Sequence, residues 1–286
     1  MRPVRVLTDS ASDLDPTEGE SLGCTVIPVP VYLGNEVFED RVSLRPDEFF
    51  LRLRQTNILP KTSQPSPAVI AATLQRLLDE GYDIVSIIMS SKMSTTIESV
   101  RRISERIAPK HIRVVDSCQI SLGEQIVVRA VTQFAQRGAA LADVVAYAEQ
   151  VKRQANIYGV LQTLEYLQKS GRIGRVASVV GGLLSLKVLV NVEDGLLAPL
   201  DRVRTWLRAL ERLKELIVAR SPFEGPLIVG HAANFTDAIA IKEALGEAFP
   251  HQEVLLQQIG PAIGTHSGPG AIGVAFLEAS QVGNGQ

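Results

Sequence analysis

Glycines and prolines dominate the segment Ile259-Gly260-Pro261-Ala262-Ile263-Gly264-Thr265-His266-Ser267-Gly268-Pro269-Gly270-Ala271-Ile272-Gly273. Between Gly260 and Gly273 it holds five glycines, two prolines and one of the four histidines of the chain. The strand-like runs 254–259 and 274–277 flank it. Glycine permits positive φ and close approach to a ligand, whereas proline gives a loop a defined shape. The pattern predicts a shaped loop between two strands, and His266 favours a site over a plain connector.

The spacing Gly268-x-Gly270-x-x-Gly273 also occurs in dinucleotide-binding loops. Such a loop follows a strand, opens a helix and precedes an acidic residue by about 20 positions. Here a strand-like run follows Gly273 at once and the chain ends soon afterwards. The nucleotide interpretation of this segment is therefore rejected.

Length and composition limit the class of protein. A chain of 286 residues favours two domains, and we place the boundary near residue 155, giving domains 1–155 and 156–286. A hydrophobic content of 45% and a charged content of 21% are typical of a folded chain that is neither disordered nor membrane-embedded. The net charge of −2 lacks the positive excess that is typical of nucleic-acid-binding proteins.

Several features favour a cytoplasmic protein. The first residues enter a predicted strand with no signal-peptide core, and the apolar stretch Val179–Val192, interrupted by Lys187, is too short to cross a bilayer. Cys24 and Cys118 cannot form a disulfide scaffold, and we expect both to be buried, reduced thiols. No metal-ligand spacing occurs, so no metal is expected.

The first half of the chain alternates between strands and helices. The predicted strands are 4–8, 26–33, 84–89 and 112–116; helices are predicted from Pro46, over 67–80, from about Ile97 to Ile107, up to Gly138 and over 141–154. Alternation of this kind predicts right-handed βαβ units and a parallel, Rossmann-like sheet. Ligands of such sheets bind beyond the carboxyl ends of the strands, where the segment Ser90–Thr96 lies.

The second half predicts a mixed sheet. A strand at 158–161 and a short helix ending at 171–172 precede a hairpin of 186–192 and 196–203 around Glu193-Asp194-Gly195. A helix over 206–220, a strand at 227–230 and a helix over 236–248 follow. The fold class is thus α/β, with two α/β domains.

Three polar loops supply the candidate site residues. They are Lys61–Gln64, Ser90–Thr96 and Gly264–Ser267, and their functional side chains are Thr62, Ser63, Ser91, Ser94, Thr95, Thr265 and His266. One hypothesis is a hydrolase using Ser94, His266 and an acid such as Asp116, although no Gly-x-Ser-x-Gly elbow is present. Another is a carboxylate site, because hydroxyls at a helix N-terminus suit a bound carboxylate.

A set of short motifs resembles the DegV family of bacterial fatty-acid-binding proteins. The motifs are Thr8-Asp9-Ser10 with Ser12-Asp13-Leu14, Lys61-Thr62-Ser63-Gln64-Pro65-Ser66, Ser90-Ser91 with Ser94, Val115-Asp116-Ser117, Ser170-Gly171-Arg172-Ile173 and Gly264-Thr265-His266-Ser267-Gly268-Pro269-Gly270. Each is weak alone, but together they span almost the whole chain in the order of the family.

The resemblance implies two α/β domains with a long-chain fatty acid buried between them and no catalysis by this chain. It implies that Thr62, Ser94 and His266 hold the carboxylate, supported by Ser63, Ser91, Thr95 and Thr265. It further implies a partner, an ATP-dependent fatty acid kinase subunit that phosphorylates the presented carboxyl group, with Arg172 at the docking surface. No cofactor beyond the fatty acid and at most transient membrane contact are expected.

Two features qualify these expectations. Lys92 and Thr95 stand where the family usually has glycines, which narrows the backbone choices of that loop. The segment Lys169–Lys214 carries nine Lys or Arg against four Asp or Glu, which suits partner docking as well as a solvated face. A stand-alone hydrolase and a lipid-responsive sensor remain the alternative functions.

Overall fold

The structure is a computed structural model that describes residues 2–56, 58–182 and 186–279. Residues 183–185, within the apolar stretch 179–192, and residues 280–286, at the end of the predicted second domain, lie outside it. The strands are β1 Val4–Asp9, β2 Cys24–Ile27, β3 Pro30–Leu33, β4 Glu36–Glu39, β5 Lys61–Thr62, β6 Asp83–Ile88, β7 Ile112–Asp116, β8 Ala155–Val160, β9 Lys187–Glu193, β10 Leu196–Val203, β11 Phe223–His231, β12 Val254–Gln258 and β13 Ile272–Glu278.

Helices connect most of these strands. They are α1 Pro16–Leu22, α2 Pro46–Gln55, α3 Pro67–Asp79, α4 Thr96–Ile107, α5 Ser121–Ala135, α6 Leu141–Val151, α7 Glu165–Lys169, α8 Trp206–Val218, α9 Phe235–Ala248 and α10 Pro261–Ser267, with 3₁₀ segments at Ser10–Ser12 and Gly174–Gly182. No helix of the described residues is long and apolar enough to cross a membrane.

Two principal sheets organise the molecule. The first has the strand order β2-β1-β6-β7, and all its pairings are parallel. The second has the order β10-β9-β8-β13-β11-β12 and is antiparallel except for the β11–β12 pair. The α/β class, the parallel first sheet and the mixed second sheet are confirmed. The division of the chain near residue 155 stays a prediction.

Two expectations about local structure were wrong. The extended run 26–33 is two strands, because Pro28 lies between β2, in the parallel sheet, and β3, in a third sheet of order β4-β3-β5. The segment 260–273 is not all loop, since α10 begins with Pro261 as its first residue and ends before Gly268, whose φ is +68°. Proline suits the first turn of a helix and glycine its end, so the same residues that predict a loop here bound a short helix.

Helix α5 lies between the two principal sheets. Of its 15 residues 11 are buried, and its apolar side chains share one core with β1, β6 and β13. Its approach to the second sheet is close, because a Cβ atom on Gly230 would lie 2.5 Å from Leu122 Cδ1. A single helix thus joins the cores of both sheets.

The cysteines differ from each other in environment. Both are free. Cys24 is buried, and burial raises its thiol pKa to about 12, which keeps it protonated. Cys118 is only partly buried, so the expectation that both thiols are buried was wrong for this residue.

A buried ion pair holds four segments of the chain together. Arg41 donates to Asp13 Oδ1 at 3.1 Å, and both side chains are almost fully buried. The same Asp13 accepts hydrogen bonds from Gly260 N at 2.7 Å and from Ser121 Oγ, while Arg41 also donates to the carbonyl of Gln258. The segment between β1 and α1, the β4–α2 connection, the start of α5 and the entry to α10 therefore meet at one carboxylate.

Further acids surround this pair. Asp9, Asp40 and Glu124 are fully buried. Burial raises the pKa of Asp9 to about 6 and that of Asp40 to about 7, the latter opposed by the charge of Arg41; burial also raises the pKa of Glu124 well above its usual range. A raised carboxyl pKa means that the folded state binds the proton more tightly than the unfolded chain. Asp9 and Asp40 consequently favour the folded state at acidic pH and lose that contribution as pH rises through their folded-state pKa values of about 6 and about 7. The raised pKa of Glu124 acts in the same direction.

We predict that Arg41→Met lowers the free energy of unfolding by about 3–5 kcal/mol at neutral pH, because it leaves Asp13 without its buried counter-ion. Denaturant unfolding measures this. Arg45→Met is the matched control, since Arg45 forms an exposed ion pair with Asp15 at 2.7 Å and should cost less than about 1 kcal/mol. Equal effects of the two substitutions would show that the buried pair has no special role.

Candidate ligand-binding site

A cavity of about 550 Å³ lies where the parallel sheet, the second sheet and α10 meet. Most of its wall is apolar. The apolar residues are Ala11, Val29, Met89, Met93, Ile120, Ile157, Leu161, Leu167, Val190, Leu197, Ile259, Ala262, Ile263, Ala271 and Ile272. A wall of this kind suits the hydrocarbon part of a ligand.

Two of the predicted polar loops meet at a hydrogen bond inside this cavity. Thr62 Oγ1 and His266 Nε2 are 3.0 Å apart, although the residues are 204 positions apart in sequence. Thr62 is held by the pairing of β5 with β3, and His266 lies in the last turn of α10. The short strand and the short helix therefore set the relative position of the two side chains.

The third loop joins through Gln64. Its Oε1 accepts hydrogen bonds from Thr95 Oγ1 at 3.3 Å and from Ser99 Oγ at 2.9 Å. Ser94 Oγ bonds Thr96 Oγ1 at 2.9 Å and accepts from Thr96 N at 3.2 Å, where α4 begins. Thr62, Ser94 and His266 all line the cavity. Thr62 and His266 are in direct contact, whereas the hydroxyl of Ser94 bonds Thr96.

The imidazole of His266 is neutral. Burial lowers its pKa to about 4, and the nearby charge of Arg172 acts in the same direction. Its buried Nδ1 has no hydrogen-bond partner in the described part of the chain. Because an unpaired acceptor costs less than an unpaired donor, we assign the proton to Nε2, which then donates to Thr62 Oγ1. The hydroxyl proton of Thr62 is left to donate to a ligand.

Two cations line the mouth of the cavity. Arg172 and Lys92 are both exposed. Arg172 Nη1 donates to the carbonyl of Ser170 at 2.7 Å, and neither side chain forms an ion pair within the described residues. Arg172 was expected only at a surface, and the structure brings it to the cavity mouth as well. A bound anion would thus meet neutral donors inside and positive charge at the entrance.

The supporting residues divide into two groups. Ser63, Ser91 and Thr95 line the cavity. Thr265 does not line it, because its hydroxyl is fully buried and donates to the carbonyl of Pro261 at 2.8 Å. The structure therefore does not bring Thr265 to the ligand, and its visible role is within α10.

The hydrogen bonds of His266 and Asp116 do not form the catalytic triad that the hydrolase hypothesis requires. The imidazole of His266 bonds Thr62, its Nδ1 bonds no acid within the described residues, and Asp116 instead accepts backbone N–H groups of Cys118 and Ser91. A Ser–His–acid triad requires the histidine between the nucleophile and the carboxylate. The observed contacts do not have that order. The described residues also contain no cluster of His, Cys, Asp or Glu able to hold a metal ion.

Sequence reasoning missed several polar lining residues, namely Gln64, Ser121, Asn191 and Ser267. Asn191 is 9% exposed, and its Oδ1 has no partner in the described part of the protein. A signal for it exists in the sequence, since it is the one polar residue of the run Val188-Leu189-Val190-Asn191-Val192. Buried amide oxygens seldom go unpaired, so this oxygen marks a place in the cavity wall for a hydrogen-bond donor such as water.

The fold and the cavity define an α/β protein with a buried, largely apolar binding site. A family profile described as "Uncharacterised protein, DegV family" matches residues 3–279. The chain belongs to the DegV family.

Known relatives resemble this chain along almost its full length. A DegV domain-containing protein of Halalkalibacterium halodurans is 32% identical over 279 residues, covering 96% of this chain and 99% of the relative. A solved structure described as fatty acid binding of a DegV family protein from Thermus thermophilus has a TM-score of 0.89 and 29% identity, covering 98% and 100% of the two chains. DegV of Bacillus subtilis, described as a fatty acid binding protein, has a TM-score of 0.88 and 26% identity over 98% and 100%.

We predict that His266 does not titrate between pH 5.5 and 8, because burial lowers its pKa to about 4. Side-chain NMR of the imidazole nitrogens measures this, and the signal lost in His266→Asn assigns the resonance. A midpoint near the ordinary histidine value of about 6.5 would contradict the proposed neutral donor.

Proposed function

We propose that this protein binds a long-chain fatty acid, with the acyl chain in the apolar cavity and the carboxylate at Thr62, Ser94 and His266. The observation that supports this best is the Thr62–His266 hydrogen bond inside an otherwise apolar cavity. The reported ligand class of the DegV proteins from Thermus thermophilus and Bacillus subtilis supports the same assignment.

Most of the affinity would come from the acyl chain. Each methylene removed from water contributes about 0.8 kcal/mol, and the apolar lining residues offer it a continuous wall. Such a chain has no hydrogen-bonding group to fix its position. The polar region at Thr62 and Ser94 would therefore decide which end of the ligand faces outward.

The carboxylate would be held by hydrogen bonds to neutral groups. Thr62 donates its hydroxyl proton because His266 occupies its acceptor position. No cation of the described residues lines the interior of the cavity, since Lys92 and Arg172 are exposed at the mouth. A carboxylate bound in this way is oriented without being locked in an ion pair, and its oxygen stays available for reaction.

The proposal extends to a partner. A separate ATP-dependent kinase subunit would phosphorylate the presented carboxyl group to give an acyl phosphate, and this chain would itself perform no catalysis. Arg172 lines the cavity mouth, and its charge acts on His266, so it would be available to a kinase subunit that docks there. Use of ATP makes the cytoplasm the expected location, with membrane contact limited to lipid exchange.

The first test is the set of variants Thr62→Val, Ser94→Ala and His266→Ala. A hydrogen bond to a charged group contributes roughly 1.5–3 kcal/mol, so each hydroxyl loss should weaken fatty-acid binding by up to about 10- to 150-fold. Partial replacement by water would reduce this effect on affinity. Turnover with a kinase subunit should fall further, because the hydroxyls aim one carboxyl oxygen. His266→Ala should have the mildest effect.

Thr73→Val is the matched control, because the hydroxyl of Thr73 is exposed and donates within α3 to Val69 O. Fluorescent fatty-acid displacement gives the affinities, and mass spectrometry of the extracted lipid shows whether a fatty acid co-purifies. Wild-type behaviour of all three site variants in both assays would show that the proposed head-group site is wrong.

The second test separates docking from binding. We predict that Arg172→Ala leaves fatty-acid affinity within about fivefold, as expected for an exposed charge, but reduces phosphorylation by the kinase subunit much more. Arg175→Ala is the control, since Arg175 is also exposed but pairs with Glu193 and Asp194. Unchanged kinase kinetics of Arg172→Ala would remove the docking role while leaving lipid binding untouched.

A further inference from the structure

A second groove, of about 780 Å³, lies on another part of the molecule. Its walls are α2 and the ends of β11 and β12. The lining residues are Asp47, Phe50, Leu51, Arg54, His231, Ala233, Phe235, Leu256 and Gln258, and none of them lines the first cavity.

The groove occupies a favoured position for a ligand. Strands β11 and β12 are parallel neighbours, and His231 and Gln258 are register partners at their carboxyl ends. Helix α9 connects the two strands and begins at Phe235 beside the groove. Ligands of α/β sheets bind at the carboxyl ends of parallel strands, and the start of the connecting helix attracts negative charge.

His231 offers an unused donor in this groove. It is 6% exposed, and its Nδ1 accepts a hydrogen bond from Asn234 N at 3.3 Å. An accepting Nδ1 places the proton of the neutral ring on Nε2, and Nε2 has no partner within the described residues. Burial lowers the pKa of His231, so the ring stays a neutral donor at physiological pH. His231 lines the groove, so this donor is open to an acceptor on a ligand.

The first turn of α9 adds further donors. Asn234 precedes the helix but its side chain makes no capping hydrogen bond. Instead, Asn234 Nδ2 donates to Asp237 Oδ2 at 2.8 Å. Trp206 Nε1 donates to the same oxygen at 2.7 Å. Two hydrogen bonds thus occupy Asp237 Oδ2, and the Asn234 side chain does not cap the backbone amides at the start of α9.

The charged and apolar side chains of the groove indicate which other groups a ligand could carry. Arg54 is exposed, forms no ion pair in the described part of the chain and donates only to the carbonyl of Ala233, at 3.3 Å. Phe235 is 60% exposed and Leu51 is 56% exposed, so both present apolar surface to the groove. Asp47 accepts from Gln258 Nε2 through Oδ1 at 2.6 Å, leaving Oδ2 for a hydroxyl donor.

We propose that this groove binds a small phosphorylated ring compound of nucleoside monophosphate type. Its phosphate lies at the start of α9 within reach of His231 Nε2 and Arg54. The flat base packs on Phe235 and Leu51, and a sugar hydroxyl donates to Asp47. Each otherwise unexplained group of the groove thereby gains a partner.

Calorimetric titration of the full chain with AMP tests the proposal. We expect one site with a dissociation constant below about 1 mM, and binding at least about tenfold weaker for adenosine alone and for inorganic phosphate alone, because each lacks half of the contacts. The histidine side-chain NMR spectrum locates the site. The His231 signal should shift on addition of AMP, whereas the His266 signal should not.

Two exposed residues allow substitution without loss of folding. Phe235→Ala and Arg54→Ala should each weaken AMP binding about tenfold or more and leave fatty-acid binding unchanged. Leu207→Ala and Arg106→Ala are the controls, since Leu207 is 68% exposed on α8 and Arg106 lies at the end of α4, both outside the groove.

Four results would overturn the proposal: no AMP binding, phosphate binding as tightly as AMP, equal effects of groove and control variants, or a shift of His266 in place of His231. A dimer in sedimentation that dissociates on Phe235→Ala would assign the groove to a second copy of the chain and would equally contradict it.

Discussion

The buried carboxylate of Asp13 joins segments that are far apart in the sequence. It binds Arg41, Gly260 N and Ser121 Oγ in a buried position. These groups come from the β4–α2 connection, the segment before α10 and the start of α5. A buried charge is stable only when it is paired and hydrogen-bonded. The chain must therefore close around Asp13, and this closure brings the two sheets and α10 together.

The ligand site depends on that closure. Gly260 immediately precedes α10, which carries His266, and Ser121 opens the helix between the sheets. Ser121, Ile259 and Ala262 also line the cavity, so the network around Asp13 borders the ligand directly. The position of His266 opposite Thr62 is thus set by a network made of other residues.

Sequence patterns predicted much of this architecture because local rules govern it. Apolar runs such as Ile84–Ile88 and the strand–helix alternation predict a parallel sheet, and Glu193-Asp194-Gly195 predicts the β9–β10 hairpin. Helix α10 was missed because glycine and proline weigh against helix in a local count, whereas packing beneath β3 and α2 favours one there. No local pattern specifies that Glu124 of α5 is buried against Thr8 Oγ1, 116 positions away.

The candidate site was likewise predicted in part from local sequence and depends in part on long-range contacts. The loops containing Thr62, Ser94 and His266 were identified from their hydroxyls, glycines and family resemblance. Their meeting depends on contacts across 204 residues, which no local pattern specifies. Thr265 was included because it neighbours His266, but successive residues of a helix point in different directions. Gln64 was overlooked because only the folded chain shows that it bridges two of the loops.

A crystal structure of the protein with a bound long-chain fatty acid would show where the carboxylate lies. We expect one carboxylate oxygen within about 3 Å of Thr62 Oγ1, a second contact at Ser94 Oγ, and an acyl chain running past Ile157 and Val190. A carboxylate at the opposite end of the cavity, or a fatty acid bound elsewhere on the molecule, would contradict it.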